Sequence, residues 1–306
     1  MASLCLLLAS APPALTARPQ LVSRRAALFG LGACHPTLHS AAAAQLPSLR
    51  ATLHTTRNDA PLSSSLIARP AYGVQAPDVY YPEWALGRWK VTSTLSSVRA
   101  PLGTALFAPR RNGTAALLQA REEIGKPLRY EARWRRDAEG RVVVDRRFCV
   151  ESISRAAMGE GAVQEAEEDG PNHLIMYLTP SGAGGALYRA DLNVVARRVD
   201  EQEGEGAFAC AETTRQTIVL VPSEKYARAT PPPPLIKEVE TICTYDRVSR
   251  DVIQAEQRTA TFLVGDALYT GEQTFAEQQA GLMSRRSDGT MLAVDLRHYD
   301  LKYERI

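Results

Sequence analysis

The chain has 306 residues, 45% of them hydrophobic and 23% charged, a composition that suits a globular protein with a sizeable core. All 34 acidic residues lie at or after Asp59; taking the five arginines that precede it (Arg18, Arg24, Arg25, Arg50, Arg57) from the 36 basic residues leaves 31 bases against 34 acids. No basic stripe remains, so the electrostatic footprint of a nucleic-acid binder is missing.

The first stretch reads as address. Residues 4–9 (LCLLLA) form an apolar run too short to span a bilayer. An acid-free stretch rich in Ala, Ser, Pro and Arg follows, the composition of an organelle transit peptide. Ser23-Arg24-Arg25 then precedes a mild apolar segment, a twin-arginine pattern used for thylakoid import. Residues 1–73 are therefore expected to be a targeting leader, largely disordered, that delivers the protein to the plastid and its thylakoid lumen. The alternative is a mitochondrial presequence, which Leu53-His54-Thr55-Thr56 would suit. Two regions suit cleavage, the alanine run 41–44 and residues 68–73. No run after Gly73 approaches the 18 apolar residues of a membrane helix.

From 74 to 306, period-2 alternation predicts one all-β domain of about 8–10 strands with few short helices, a single antiparallel barrel or, as the alternative, a sandwich. Predicted strands cover 86–97, 128–136, 141–151, 173–179, 186–199, 207–221, 235–245, 252–264 and 291–305. The cleanest is 128–136, where Tyr130, Ala132 and Trp134 alternate with Arg129, Glu131, Arg133 and Arg135. Residues 137–140 (DAEG) form the turn of a hairpin whose return strand is 141–151. Residues 160–168 read as a short helix or acidic loop, and 275–280 as another short helix. Residues 181–185 and 287–289 read as turns, and Asn112-Gly113-Thr114 matches a glycosylation sequon.

Gly87-Arg88-Trp89 is a G-x-W at the start of the first strand. This is similar to the entry of lipocalin-type barrels, and the resemblance implies that the glycine lets the backbone bend into a lipocalin-like barrel, that Trp plugs one end, and that Arg305 or Arg297 from the last strand lies over the indole. An ordinary core Trp is the plainer reading.

The motifs YPEWALGRW (81–89), APLG (100–103), VVVDRRFCVESI (142–153) and FACAETTRQ (208–216, from Phe208), followed by a last strand alternating Tyr and Leu, resemble a family of unknown function found in plastids and cyanobacteria. The resemblance runs from about Tyr81 to Ile306. It implies a lumenal, lipocalin-like protein with no established catalytic role; Cys149 and Cys210 depart from the polar residues its pattern leads one to expect.

Chemistry-bearing motifs are scarce. His173 and His298 are far apart with no metal-ligand spacing, and no GxSxG, P-loop or dinucleotide fingerprint is present, so neither a catalytic nor a metal-ligating residue is assigned and no cofactor is indicated. Cys149, Cys210 and Cys243 lack CxxC spacing, which leaves three buried thiols or one disulfide plus a thiol. Glu212, Glu240 and Arg258 interrupt apolar phases of their strands. If those phases face inward, they either form a salt-bridge network or line a cavity that binds a ligand; with the phases inverted, the charges lie on a solvated face. The function that follows is a non-enzymatic lumenal barrel binding a small apolar ligand or assisting a photosynthetic complex. Two alternatives stand beside it: an enzyme acting on a lipid or carotenoid in the cavity, and a surface docking protein of a photosystem without a ligand.

Overall fold

The computed structural model describes residues 48–55, 70, 74–108, 112–181, 184–200, 205–222, 234–263 and 293–306. Alternation is what builds the sheet. In β1 (Gly87–Arg99) and β2 (Pro127–Arg136), the register Gly87↔Trp134, Trp89↔Ala132, Val91↔Tyr130 puts every large apolar side chain on one face and Arg129, Glu131 and Arg133 on the other. Eight further strands complete the sheet, β3 (Val142–Val144), β4 (Val163–Glu168), β5 (His173–Leu178), β6 (Tyr188–Val199), β7 (Ala207–Leu220), β8 (Leu235–Arg247), β9 (Val252–Leu263) and β10 (Asp295–Arg305), with alternation clearest in β5 and β6.

These ten antiparallel strands form one curled, half-barrel sheet of order β3-β2-β1-β10-β9-β8-β7-β6-β5-β4. The first and last strands pair directly, Trp89 opposite Arg305 and Val91 opposite Tyr303. The open seam therefore lies between β3 and β4, which are adjacent in sequence. Helix α3 (Arg146–Met158) is the connection between these two edges, and it leans into the concavity. Cys149 joins the cluster of Trp89, Trp134 and Phe208, while Val150, Ile153 and Met158 join Leu174, Met176 and Leu178. Along β2 the helix takes over where β3 ends, with Glu131 N–H donating to Ser152 Oγ at 2.8 Å and Arg133 N–H to Cys149 Sγ at 3.2 Å.

Three local expectations need correction. The strand predicted over 141–151 stops at Val144, because Asp145 caps α3 by accepting a bond from the Phe148 N–H at 3.1 Å. The segment 160–168 is a 3₁₀ turn, Glu160–Ala162, followed by edge strand β4, in which Ala166 faces the core between exposed glutamates. Helix α2 (Gly113–Glu122) was not foreseen; the sequon residue Asn112 is its N-cap, accepting from Ala115 N–H at 3.0 Å. The predicted helix at 275–280, the turn at 287–289 and residues 291–292 of the last predicted strand lie outside the described residues.

Part of the stretch predicted as leader is described. Residues Leu49–Thr55 form α1, whose Leu49 and Leu53 are buried with Ala196, Ala209, Ala211 and Ile242 on the outer face of the sheet. Among the described residues no helix is long and apolar enough to cross a membrane.

Candidate functional site

The end of the half-barrel is built from Gly87, Trp89 and Arg305. Gly87 has φ +126°, and a Cβ there would sit 2.7 Å from Arg305 Nη1. Trp89 is fully buried and donates its indole N–H to the Ala85 carbonyl at 2.9 Å. Arg305 lies 4.2 Å above the indole and donates to the carbonyls of Leu86 and Trp84, at 2.8 and 3.1 Å. Arg297 sits elsewhere, against Phe107 and in an ion pair with Asp295.

The three charged residues singled out from the sequence divide between the two faces. Glu212 points into the concavity, where Arg146 of α3 grips both carboxylate oxygens at 2.8 Å and Arg197 Nε donates to one of them at 3.0 Å. Burial alone would raise the Glu212 pKa, but the charges and bonds of Arg146 and Arg197 outweigh it and hold the carboxyl far below the usual range. Glu240 and Arg258 instead pair with each other on the outer face, fully buried. Burial raises the first and lowers the second, each partly offset by its partner's charge. The apolar phases of Glu240 and Arg258 are thus outward phases, and the two cannot share a cavity with Glu212.

Above Glu212 runs an extended strap, residues 74–82. Arg197 and Asn172 hold it by donating to the Pro77 and Ala76 carbonyls, each at 3.0 Å, and Tyr81 N–H bridges to the Val142 carbonyl at 2.8 Å. Beneath the strap is a cleft of about 50 Å³ walled by Tyr81, Trp134, Tyr245, Tyr303 and Cys210. The rings meet edge-on or tilted, with centroids 5.6 Å apart for Tyr81–Trp134 and for Trp134–Tyr303. Two of the residues that line the cleft carry a buried donor without a hydrogen-bond partner among the described residues, Trp134 Nε1 and Gln257 Nε2. A second hollow of about 40 Å³, lined by Val150, Leu174, Leu192 and Gln216, lies across the Arg146–Glu212 pair, which borders both.

Burial pushes Cys149 up to about 12 and raises Cys210 and Cys243 as well, so all three free thiols stay protonated and weakly nucleophilic. The Tyr81, Tyr245 and Tyr303 phenols are raised for the same reason. No group of three metal-ligating side chains exists among the described residues. His173 sits at the surface near Asp169 and Asp191, and His298 is buried elsewhere in the sheet.

A family model described as a domain of unknown function, DUF6816, matches residues 73–286. The chain belongs to this family. The DUF6816 match contains the strap, Trp134, Arg146, Glu212 and Gln257, and it ends before β10, which supplies Tyr303 and Arg305. No curated protein and no solved structure matches the chain.

Several cleft residues of this DUF6816 member were not picked out in the sequence. Arg146 was placed on a strand, and Arg197, Trp134 and Gln257 read as ordinary strand positions. One signal could have found Arg146: an Asp N-cap at 145 followed by Cys149, Val150 and Ile153 at helical spacing.

Proposed function

We propose that this DUF6816 protein is a non-enzymatic binding protein of the thylakoid lumen whose strap-covered cleft takes a small apolar ligand bearing a hydrogen-bond acceptor. The observation that carries this reading is the pair of unpartnered donors, Trp134 Nε1 and Gln257 Nε2, in an aromatic-walled cleft. Leaving a buried donor unsatisfied costs about 1–3 kcal/mol, so a carbonyl, ether or similar oxygen that reaches either of them is favoured. The apolar walls supply affinity and the two donors supply orientation.

Size narrows the ligand. The cleft is smaller than the ~150 Å³ cavity that accommodates benzene. It suits a small molecule, or the polar end of a larger one slid under the strap, and a whole carotenoid would require residues 74–82 to lift. The chemistry argues for binding over catalysis. Glu212 is locked as a carboxylate by two arginines, and the thiols are held protonated, so neither is poised for proton transfer or attack near neutral pH. Lipocalin likeness is supported by the pairing of first and last strands and by the Gly87, Trp89 and Arg305 plug; the plastid compartment is supported by the twin-arginine leader.

Native mass spectrometry with absorbance of the protein isolated from plastids tests the proposal. A bound small molecule that is lost on Trp134→Phe or Gln257→Leu is the expected result. An empty cleft in protein that co-purifies with photosynthetic subunits selects surface docking, and a ligand-free monomer overturns the binding reading.

A further inference from the structure

We infer that α1 is part of the working protein, and that the leader is removed before Ser48 rather than at 68–73. This inference is independent of what the cleft binds. A disposable address has no reason to complete a core, yet Leu49 and Leu53 are 0% and 1% exposed. They close an apolar cluster made with Ala196 of β6, Ala209 and Ala211 of β7, and Ile242 of β8.

The receiving surface is shaped for a helix. Ala196, Ala209 and Ala211 occupy outward positions, where Asp191, Asn193, Arg215 and Thr217 stand farther along the same strands. Ala209 and Ala211 stand two apart on β7 and Ala196 lies diagonally across from Ala211 on β6, so their small side chains leave a shallow trough that a helix can approach closely. Without α1, these alanines and Ile242 would form an exposed apolar patch on an otherwise polar stretch of sheet.

Polar contacts fix the helix in one register. Ser48 caps it, accepting from Ala51 N–H at 3.1 Å, and Asp200 at the end of β6 accepts from the Leu49 N–H. Arg50 makes a two-pronged pair with Asp246 of β8, at 2.8 and 3.0 Å. A cap, an ion pair and two buried leucines in seven residues are the marks of a structural element. Of the two cleavage regions legible in the sequence, only the alanine run 41–44 leaves this element attached. The helix precedes residue 73, where the family match begins, so it extends the family body on its outer face.

N-terminal peptide mapping of the protein isolated from its own organelle is the direct test. A first residue at or before Ser48 is expected, and any start after Ser48 overturns the inference. Limited trypsin digestion of the full chain supplies a second measurement. Cleavage after Arg50 should be at least tenfold slower in the native protein than in the same protein unfolded in urea, and Leu49→Ala with Leu53→Ala should remove that protection and lower the melting temperature by roughly 10 °C. Equal cleavage of the native and unfolded wild-type protein at Arg50 would refute docking without relying on the variant's folding.

Discussion

The two faces of the sheet each bury an arginine–glutamate pair, and the pairs are built differently. On the concave face Glu212 receives three charge-assisted bonds from Arg146 and Arg197, and a fifth of its side chain stays exposed at the border of two hollows. On the outer face Glu240 and Arg258 are sealed, with one bond between them, and Glu240 Oε2, Arg258 Nε and Arg258 Nη1 have no partner among the described residues. The first pair joins helix to sheet across the concavity. The second joins neighbouring strands that the backbone ladder already holds. Burial of charge alone therefore does not mark the site; what distinguishes Glu212 is that it sits where two cavities meet.

The largest expected effect comes from breaking the inner pair. Glu212→Ala leaves two guanidinium groups facing each other under the strap and should cost about 3 kcal/mol in urea denaturation, the low end for a buried pair because Glu212 retains some solvent contact. Its pH signature has a definite sign. The folded-state pKa of Glu212 is depressed, so its contribution is present above the unfolded carboxylate range and is lost as pH falls through the lower folded value. Acid unfolding between about pH 5 and pH 2 should accordingly be less steep in Glu212→Gln than in the wild type. A parallel acid profile would show that the arginines do not hold this carboxylate ionised.

The comparison sharpens with double replacements. Glu240→Leu with Arg258→Met should be neutral or stabilising by about 1–4 kcal/mol, since it removes a poorly satisfied buried pair, whereas either change alone should destabilise. Glu212→Leu with Arg146→Met should still destabilise, because Arg197 loses the closer of its two carboxylate partners and keeps only Asp78 at 3.4 Å. Similar outcomes for the two double variants would erase the distinction drawn between the faces.

At the barrel end, Gly87→Ala forces a side chain into a left-handed backbone region and pushes Arg305 off the Leu86 carbonyl, for about 1–3 kcal/mol. Arg305→Ala loses the indole contact and both carbonyl bonds. The two variants should be non-additive in thermal melts, the double costing less than the sum, because each removes the same stacked guanidinium. The smallest effect belongs to Trp134→Phe, which deletes an unpartnered donor. Stability of the ligand-free protein should fall by about 1 kcal/mol from the lost ring volume while ligand retention falls, and unchanged retention would show that the indole N–H does not hold the ligand.

Much of the sheet was legible because alternation is a local property. Tyr130, Ala132 and Trp134 declare one face of β2, and the lipocalin resemblance of Gly87 and Trp89 offered Arg305 or Arg297 as the stacking arginine, of which the structure takes Arg305. The hairpin at 137–140 was readable too, but its return arm was not. Val142–Val144 continue as β while Arg146, Arg147 and Phe148 preserve an apparent alternation. What turns the chain is Asp145 capping a helix whose Cys149, Val150 and Ile153 find the concavity. That relocation puts Arg146 on Glu212, so misreading one cap concealed half of the central ion pair.

Local order was therefore the sequence's own doing: strand period, the residue types at caps and turns, and the phase each charge shares with its neighbours. Which phase faces inward was decided by tertiary structure alone. On β7, β8 and β9 both faces are buried, one by the curl of the sheet and the other beneath α1 and its surroundings, so both phases look apolar. A periodicity of two separates the faces of a strand without saying what lies over each, and that answer comes from residues far away in the chain.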